Sequence, residues 1–526
     1  MAKIPQRLLG EALLNSTEQF PAKTAIIAKN REYSYSELKE SSLKLAHYLV
    51  QNGIRKGDLV AIYLNNSWEC AVALYGVTFA GAAFLVINPQ TKAEKFQYIL
   101  NDSGAKTLIS ESALHQEIIP ALNVSESITD LIITGDTSRF QFTGSKKLTA
   151  LEDILLKEKQ EAVFPRIIPN DLAALIYTSS STGFPKGVMM THQSMVFTSW
   201  SLIEYLRLSE EDRIILLSPL AFDYGLYQLL MAITMGGSII LEQSFIFQAT
   251  IYKNIEKYKP TVFPGVPTIY AMMIAANKKS KLAFESIKRV TNTAAALPAE
   301  FIPDLKEIFP NALIFKMYGL TECKRVCYLE PELVDEKPGS VGKAIPGTEV
   351  FLLTPNGEKV PAGERGILHV RGPHVMLGYW HKEELSNEML KPGFLPGEKI
   401  LCSNDWFRMD EDGFLYFLGR NDDIIKTRGE KVSPVEIENV IHKLPEIKET
   451  VVFGVPDEVL GESIVAMVTT YGNSSINAKE IQKECMSKLE SFMIPQKVVF
   501  MDEMPKNANG KIDKKRLKEN YLENGN

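Results

Sequence analysis

A run of hydroxyl side chains at 177–187, Tyr-Thr-Ser-Ser-Ser-Thr-Gly-Phe-Pro-Lys-Gly, is the part of the sequence best suited to chemistry on phosphate groups. Hydroxyls and glycine amides donate hydrogen bonds to phosphate oxygens, and a lysine adds a compact positive charge. The run follows an apolar stretch at 172–176 that is typical of a buried strand, and strand ends are where α/β proteins bind ligands. The residues expected to contact phosphate are Thr178, Ser179, Ser181, Thr182, Gly183 and Lys186.

The run departs from the usual nucleotide-triphosphate loop, which has glycine, four residues and then glycine-lysine-serine or threonine. Lys186 is followed by Gly187, and the preceding glycine, Gly183, stands only three residues before the lysine. An ordinary P-loop ATPase or kinase is therefore disfavoured. A plain polar linker is the alternative, but a linker has no reason to follow a buried strand.

The overall composition favours small-molecule chemistry. The chain has 526 residues, of which 45% are hydrophobic and 23% charged, so at least two domains are expected. A formal net charge of −6 gives no general attraction to nucleic acid or to anionic membranes. Five scattered cysteines and an N-terminus without an unbroken apolar core predict a cytoplasmic protein. The longest uncharged stretch, 70–90, contains Gly76, Gly81 and Pro89, which predicts a buried helix, a turn and a short strand rather than a membrane span.

Apolar runs alternate with helix-like segments through the first half of the chain, which predicts an α/β fold with parallel sheets. Beyond Gly342, short β segments separated by turn signals predict a strand-rich subdomain. After Arg420 the pattern predicts a small α+β domain with helices at 434–443 and 478–489. We therefore expect a large N-terminal domain at 1–419, a hinge at 420–423 and a small mobile C-terminal domain at 424–526.

Four further motifs accompany the hydroxyl run. They are Tyr-Gly-Leu-Thr-Glu at 318–322, Asp405, Gly-Arg-Asn-Asp-Asp at 419–423 and Pro-Lys-Asn-Ala-Asn-Gly-Lys at 505–511. In order and spacing, almost from end to end, the chain resembles the adenylate-forming superfamily, which includes acyl-CoA synthetases, adenylation domains of nonribosomal peptide synthetases and beetle luciferases. The resemblance implies that ATP and Mg²⁺ activate a carboxylic acid as an acyl-AMP, with release of pyrophosphate. The acyl group then passes to a thiol.

The resemblance also implies roles for residues in the large domain. Glu322 would hold Mg²⁺ and Thr321 would touch the α-phosphate, so both are candidate catalytic residues. The nucleotide contacts implied around adenine are Ala295, Tyr318 and Gly319. Two positions depart from the family pattern, because Ser180 and the pair Ala294-Ala295 stand where glycines are common. They add bulk without removing a charge, so we expect altered nucleotide affinity at most.

The remaining implied roles lie near and beyond the hinge. The family uses an aspartate fifteen residues before the arginine of its Gly-Arg motif to bind the ribose hydroxyls, and Asp405 has this spacing from Arg420, although its triplet reads Ser-Asn-Asp instead of Thr-Gly-Asp. Arg420 would be the second ribose contact and Asp422 the hinge residue. Lys511 resembles the catalytic lysine that reaches the α-phosphate and the carboxylate. A weaker resemblance, to the thiol tunnel, covers Lys426, Arg428, Gly429 and Lys431.

Asp223 is the one acid in the otherwise apolar segment 219–229, and it bears on the identity of the substrate. By resemblance, amino-acid-activating members place an aspartate here to bind the substrate ammonium. The residues around Asp223 are also similar in sequence to those of stand-alone ligases that load L-proline onto a carrier protein. A proline-like amino acid and a separate carrier protein are therefore expected. The alternatives are a fatty-acid or aryl-acid CoA ligase, a luciferase-type monooxygenase, a helix-capping role for Asp223, and a catalytically dead scaffold.

Overall fold

The computed structural model describes residues 6–141, 146–158, 163–178, 185–293, 297–420, 423–427, 430–457, 460–472, 474–489, 491–506 and 511–523. The helices are α1 Leu9–Gln19, α2 Tyr35–Gln51, α3 Trp68–Phe79, α4 Ala93–Ser103, α5 His115–Val124, α6 Leu151–Leu156, α7 His192–Tyr205, α8 Asp223–Thr234, α9 Gln248–Tyr258, α10 Pro267–Asn277, α11 Phe301–Ile308, α12 Glu383–Met389, α13 Pro434–Ile441, α14 Ala478–Lys488 and α15 Lys514–Glu523.

The strands of the first half are β1 Thr24–Ala28, β2 Arg31–Ser34, β3 Leu59–Tyr63, β4 Ala83–Val86, β5 Thr107–Glu111, β6 Asp130–Thr134, β7 Lys147–Ala150, β8 Leu172–Thr178, β9 Lys186–Thr191, β10 Arg213–Leu216, β11 Ser238–Leu241 and β12 Val262–Gly265. The later strands are β13 Arg289–Asn292, β14 Leu313–Tyr318, β15 Cys327–Leu329, β16 Lys343–Ala344, β17 Glu349–Leu353, β18 Arg365–Arg371, β19 Gly378–Tyr379, β20 Leu390–Pro392, β21 Lys399–Met409, β22 Leu415–Arg420, β23 Ile425–Thr427, β24 Glu430–Val432, β25 Ile447–Asp457, β26 Gly461–Thr470 and β27 Lys497–Phe500.

Two large sheets form the N-terminal part of the molecule. One has the order β7–β6–β5–β3–β4–β8–β9–β19, and the other has the order β2–β1–β11–β10–β12–β13–β14–β15–β16. The inner strands of both pair in parallel, whereas β9, β19, β2, β15 and β16 pair antiparallel at the sheet margins. This arrangement confirms the prediction of an α/β fold with parallel sheets.

The uncharged stretch at 70–90 shows how local sequence produces these sheets. The Ser67 hydroxyl caps α3 by accepting a hydrogen bond from the Cys70 amide, and the helix is buried almost throughout. Gly81 then adopts a φ of +73°, which lets the chain turn tightly into the buried strand β4. The predicted helix, turn and strand are thus confirmed. Within the described part of the chain, no helix is both long enough and apolar enough to cross a bilayer.

The hydroxyl run connects β8 to β9 as an antiparallel hairpin. Thr178 and Lys186 are directly opposite each other in the pairing of these strands. The two ends of the run are therefore held together by the pairing of β8 with β9.

Two smaller sheets complete the molecule. The strand-rich part has the order β17–β18–β21–β20, with β22 paired to β21. The C-terminal part has the order β24–β23–β26–β25, with β27 paired to β26, and it has its own apolar clusters on both faces of the sheet. The large α/β domain and the smaller C-terminal domain were both predicted. Helix α15 was not predicted, because its sequence is strongly polar and buries only Leu517.

Candidate active site

Lys186 lies at the start of β9, close to two other functional side chains. Its Nζ atom is 4.3 Å from the centroid of the Tyr379 ring, a distance typical of a cation–π contact. Burial lowers the pKa of Lys186, while the nearby Glu322 carboxylate acts to raise it. At the other end of the hairpin, the Thr178 hydroxyl oxygen is buried and has no hydrogen-bond partner among the described residues. Lys186 therefore places a cation near Glu322, on the strand opposite Thr178.

Several predicted residues lie outside the described part of the chain. They are Ser179, Ser180, Ser181, Thr182, Gly183, Ala294, Ala295, Asp422, Arg428 and Gly429, together with the side chain of Lys431. Their expected roles stay predictions.

Glu322 is held in a turn that follows β14. Its Oε1 atom accepts a 2.6 Å hydrogen bond from the Tyr379 hydroxyl, and its carbonyl oxygen accepts one of 2.8 Å from the Met376 amide. Tyr379 belongs to β19, which pairs with β9 so that Tyr379 is opposite Val188. The pairing of β19 with β9 thus brings the hairpin lysine and the acidic residue to the two sides of one tyrosine.

Tyr318, Asp405 and Arg420 form a second group at the end of β14. The Tyr318 hydroxyl donates a short hydrogen bond to Asp405 Oδ2, and Arg420 Nε lies 3.6 Å from Asp405 Oδ1. Asp405 is 3% exposed, and burial raises its pKa to about 6 against the opposing effects of Tyr318 and Arg420. Asp405 and Arg420 are register partners between β21 and β22, which is the structural basis of their fifteen-residue spacing. One edge of the Tyr318 ring packs against Phe407, so the tyrosine also serves the core.

Asp223 is the first residue of α8, and Phe222 occupies the N-cap position, so the helix-cap alternative for Asp223 was wrong. A carboxylate in the first helical turn is favoured by the helix dipole. Asp223 Oδ2 accepts a 3.1 Å bond from Arg325 Nη1, which completes an ion pair in which the Arg325 side chain is 3% exposed and the Asp223 side chain 21% exposed. The residue proposed to receive a substrate ammonium is therefore already paired with a buried cation.

Lys324 is a second buried cation, between Glu322 and Arg325. Its side chain is fully buried, and its Nζ atom donates a 2.7 Å hydrogen bond to the Thr321 carbonyl. Burial lowers the pKa of Lys324 to about 8, and the carboxylates of Asp223 and Glu322 oppose this shift. Gly319 adjoins Lys324 so closely that a Cβ atom on it would lie 2.0 Å from the Lys324 carbonyl oxygen. The motif needs glycine at 319 for this reason.

Lys511 belongs to the small domain and lies close enough to Asp223 and Arg420 for their charges to act on it; we call the region between these three residues the cleft. Burial by the surrounding protein lowers the pKa of Lys511, although the residue keeps access to water. The charge of Asp223 acts to raise this pKa, and the charge of Arg420 acts to lower it. Lys511 is therefore close to charged residues that lie outside the small domain. Lys426, in contrast, projects from β23 as an exposed side chain, and its amide donates to Glu462 Oε2 at 2.6 Å.

Contacts at the domain boundary accompany this position of Lys511. Arg365 of β18 forms an ion pair of 3.4 Å with Glu436 of α13. Lys278, just beyond α10, places its Nζ atom 5.4 Å from the centroid of Tyr471 in the C-terminal domain. Both contacts are at the surface, where each is worth little on its own.

The described residues fit both ligands implied by the sequence, which are ATP and Mg²⁺. Asp405 Oδ1 is buried without a hydrogen-bond partner among the described residues, so it can accept a bond from a ribose hydroxyl. Glu322 supplies carboxylate oxygen, the ligand type that Mg²⁺ prefers, and the Tyr379 hydroxyl fixes its orientation.

Sequence reasoning missed Tyr379, Lys324 and Arg325. Tyr379 lies outside every recognised motif, and only the pairing of β19 with β9 brings it to Glu322. Lys324 and Arg325 directly follow the Tyr-Gly-Leu-Thr-Glu motif, and two adjacent cations within an otherwise apolar segment were the available signal.

Comparisons with known proteins agree with this architecture. A family model described as AMP-binding enzyme matches residues 13–380, and one described as AMP-binding enzyme C-terminal domain matches 436–511. The chain is 31% identical to a long-chain-fatty-acid–CoA ligase of Bacillus subtilis (strain 168), covering 99% of this chain and 96% of the relative. It is 28% identical to an oxalate–CoA ligase of Arabidopsis thaliana, covering 98% of this chain and 99% of that relative.

The fold is also similar to solved structures. The crystal structure of the anthranilate CoA ligase AuaEII in complex with anthranoyl-AMP has a TM-score of 0.89 and 26% sequence identity, and the match covers 99% of this chain and 98% of that one. These comparisons do not support the expected preference for a proline-like amino acid or the expected carrier-protein acceptor.

Proposed function

We propose that this chain, which belongs to the family of AMP-binding enzymes, joins a carboxylic acid to coenzyme A. The matched relatives are named as CoA ligases, and AMP-forming acid–thiol ligases of this family use ATP with Mg²⁺. The observation that carries the proposal is that Lys511 of the small domain lies within electrostatic range of Arg420, which in turn forms an ion pair with Asp405. Attack of a carboxylate on an α-phosphate brings two anions together, so such a cleft must supply positive charge.

Each group in the cleft has a chemical task under this proposal. Lys186 offsets charge on the β- and γ-phosphates from the base of its hairpin. Glu322 holds Mg²⁺, which when bound neutralises phosphate charge and stabilises the leaving pyrophosphate. Asp405 and Arg420 bind the ribose, while Thr321 and Lys511 contact the α-phosphate and the attacking carboxylate.

The ion pair between Asp223 and Arg325 supports the CoA-ligase alternative over an amino-acid substrate. An incoming ammonium would have to share Asp223 with a guanidinium that already donates to it at 3.1 Å. The relatives also point toward acids of other kinds, because two that match along nearly their whole length are named for a long-chain fatty acid and for anthranilate. An aliphatic or aromatic acid is therefore the proposed substrate class, and CoA the proposed acceptor.

ATP–pyrophosphate exchange with a panel of fatty, aromatic and amino acids tests the first step, and CoA-dependent release of AMP tests the second. We expect at least one fatty or aromatic acid to support both reactions. The variant Lys511→Ala provides the control for contaminating ligases. Exchange with proline alone, with no thioester formed on CoA, would restore the amino-acid hypothesis. Failure of every acid to support exchange would overturn the enzymatic proposal.

A further inference from the structure

Lys324 has a backbone conformation that is unfavourable for a residue with a side chain. Its φ is +66°, in the left-handed region, where the Cβ atom of an L-amino acid is crowded against the backbone. Non-glycine residues held in this region are concentrated at functional sites, where the surrounding structure enforces the strain. Lys324 stands two residues after Glu322, in the turn that carries the proposed metal ligand.

Hydrogen bonds of Lys324 close this turn. Its amide donates to the Leu320 carbonyl at 2.5 Å, and its Nζ atom donates to the Thr321 carbonyl at 2.7 Å. Its own carbonyl accepts a 2.8 Å bond from Arg325 Nη1 and sits against Gly319. One residue thus ties together the chain from 319 to 325, which includes Thr321 and Glu322.

Stability alone does not account for a lysine at this position. Full removal of an ammonium from water is costly, so a buried charged group is weak evidence of a stabilising role. What the lysine adds is a charged donor directed at the Thr321 carbonyl, beside the Glu322 carboxylate. The strained φ and the buried charge therefore both belong to Lys324, whose side chain donates a hydrogen bond to the proposed metal-binding turn.

We propose that Lys324 is a positioning residue, which holds the Thr321–Glu322 turn in the shape that receives the metal-bound triphosphate. The proposal rests on the proposed function, because it assumes that this turn binds Mg·ATP. It assigns no substrate contact to Lys324, whose side chain is fully buried. The adenine and ribose contacts at Tyr318 and Asp405 lie before the turn and on another strand, so they should not depend on the Lys324 side chain.

The test compares Lys324→Met with Lys316→Met in the full-length protein. Lys316 is a matched control, because it is also buried and its Nζ atom also donates to a carbonyl oxygen, that of Pro338. Calorimetry measures the affinity for AMP, for ATP without metal and for ATP with Mg²⁺, and thermal unfolding gives Tm. For Lys324→Met we expect the affinity for ATP with Mg²⁺ to fall roughly tenfold, the change expected when a hydrogen bond to a charged donor is lost.

The other readouts separate positioning from simple structural damage. In Lys324→Met we expect AMP affinity within about twofold of the wild type and a Tm no lower than that of Lys316→Met, since each variant removes one buried charged donor from a carbonyl oxygen. Lys316→Met should leave the ratio of the two affinities unchanged. Parallel losses of AMP affinity and Tm in Lys324→Met would overturn the proposal, as would wild-type affinity for ATP with Mg²⁺.

A glycine variant separates the side chain from the backbone. Lys324→Gly relieves the strained φ but removes the Nζ donor, so we expect the same selective loss of affinity for ATP with Mg²⁺. Full retention of that affinity would show that only the turn conformation matters and would contradict the role of the side chain. If the wild-type protein binds ATP and Mg²⁺ but activates no acid, the proposed function fails while the inference about the turn still receives its test.

Discussion

The two halves of the cleft are built in different ways. The nucleotide half belongs to the large domain, where Tyr318 bonds to the buried Asp405 and Tyr379 bonds to Glu322. The lysine half belongs to the small domain, where Lys511 keeps access to water and the nearby domain contacts are surface pairs. Buried hydrogen-bonded groups resist displacement, whereas exposed pairs are easily exchanged. The comparison predicts that the nucleotide-binding residues of the large domain stay in place, whereas the small domain can move Lys511 away from them.

The largest expected effect comes from removing the lysine itself. Lys511→Ala should reduce ATP–pyrophosphate exchange by about 10²-fold or more, because a charge contact made mainly in the transition state is lost. Formation of thioester from supplied acyl-AMP should continue, because that step does not need the lysine in the cleft. Near-normal exchange in this variant would remove Lys511 from the proposed mechanism.

The next effect tests the fixed half through pH. Under the proposed role, ribose binding needs ionised Asp405, whose pKa is about 6 in the folded protein, so the KM for ATP should rise about tenfold per pH unit below that value. Asp405→Asn should flatten this dependence, and the phosphates of ATP titrate equally in both proteins, so the ratio of the two KM values isolates Asp405. A ratio that stays the same from about pH 5 to about pH 7, a range that spans the pKa of Asp405, would contradict the assignment.

The same raised pKa has the opposite effect on folding stability. The folded state binds the Asp405 proton more tightly than the unfolded chain, where the pKa is about 3.9. The stabilisation is therefore complete below about pH 4 and is lost as the pH rises through about 6. Denaturant unfolding of wild type and Asp405→Asn across this range should show the difference between them growing smaller at low pH.

A smaller effect is expected at the link between the hairpin and Glu322. Tyr379→Phe removes one hydrogen bond to the carboxylate but keeps the ring beneath Lys186. Loss of one buried hydrogen bond is worth about 1 kcal/mol, so the Mg²⁺ concentration for half-maximal exchange should rise about fivefold. Phenylalanine preserves the aromatic contact, so an unchanged Mg²⁺ requirement would show that the hydroxyl does not orient Glu322.

The smallest effect tests whether the lysine half is held loosely. Arg365→Ala and Tyr471→Ala each remove one surface contact between the domains, and each should lower exchange by roughly twofold without slowing thioester formation from acyl-AMP. Arg139→Ala removes a somewhat more exposed ion pair, with Asp136, inside the large domain and serves as the control. Equal losses in both half-reactions would contradict a contact specific to one domain arrangement.

Much of the fold was predictable from short-range patterns in the sequence. The helix, turn and strand between 70 and 90 were predictable because hydrophobic periodicity and Gly81 act within a few residues. The spacing of Asp405 from Arg420 was informative for the same reason, since β21 and β22 are consecutive strands and their register sets the distance between the two residues.

Long-range contacts were not predictable. Asp223 pairs with Arg325 only after distant strands of one sheet have assembled, and Glu322 pairs with Tyr379 only after the two large sheets have come together. Nothing in the residues around Asp223 indicates that a buried guanidinium will approach it. The amino-acid hypothesis was therefore drawn from a motif whose electrostatic partner lies elsewhere in the chain, and the acid alone was a poor guide to the substrate.

The position of Arg420 at the last residue of β22 has a mechanical consequence. If the small domain pivots at 420–423, the ribose contact lies at the fulcrum, where the lever arm is shortest. Lys511 belongs to the rotating part, so the same rotation would carry it away from Arg420, whose charge now acts on it. The enzyme could then withdraw the lysine and admit a thiol while the bound nucleotide scarcely moves, so the intermediate stays anchored as its surroundings are exchanged.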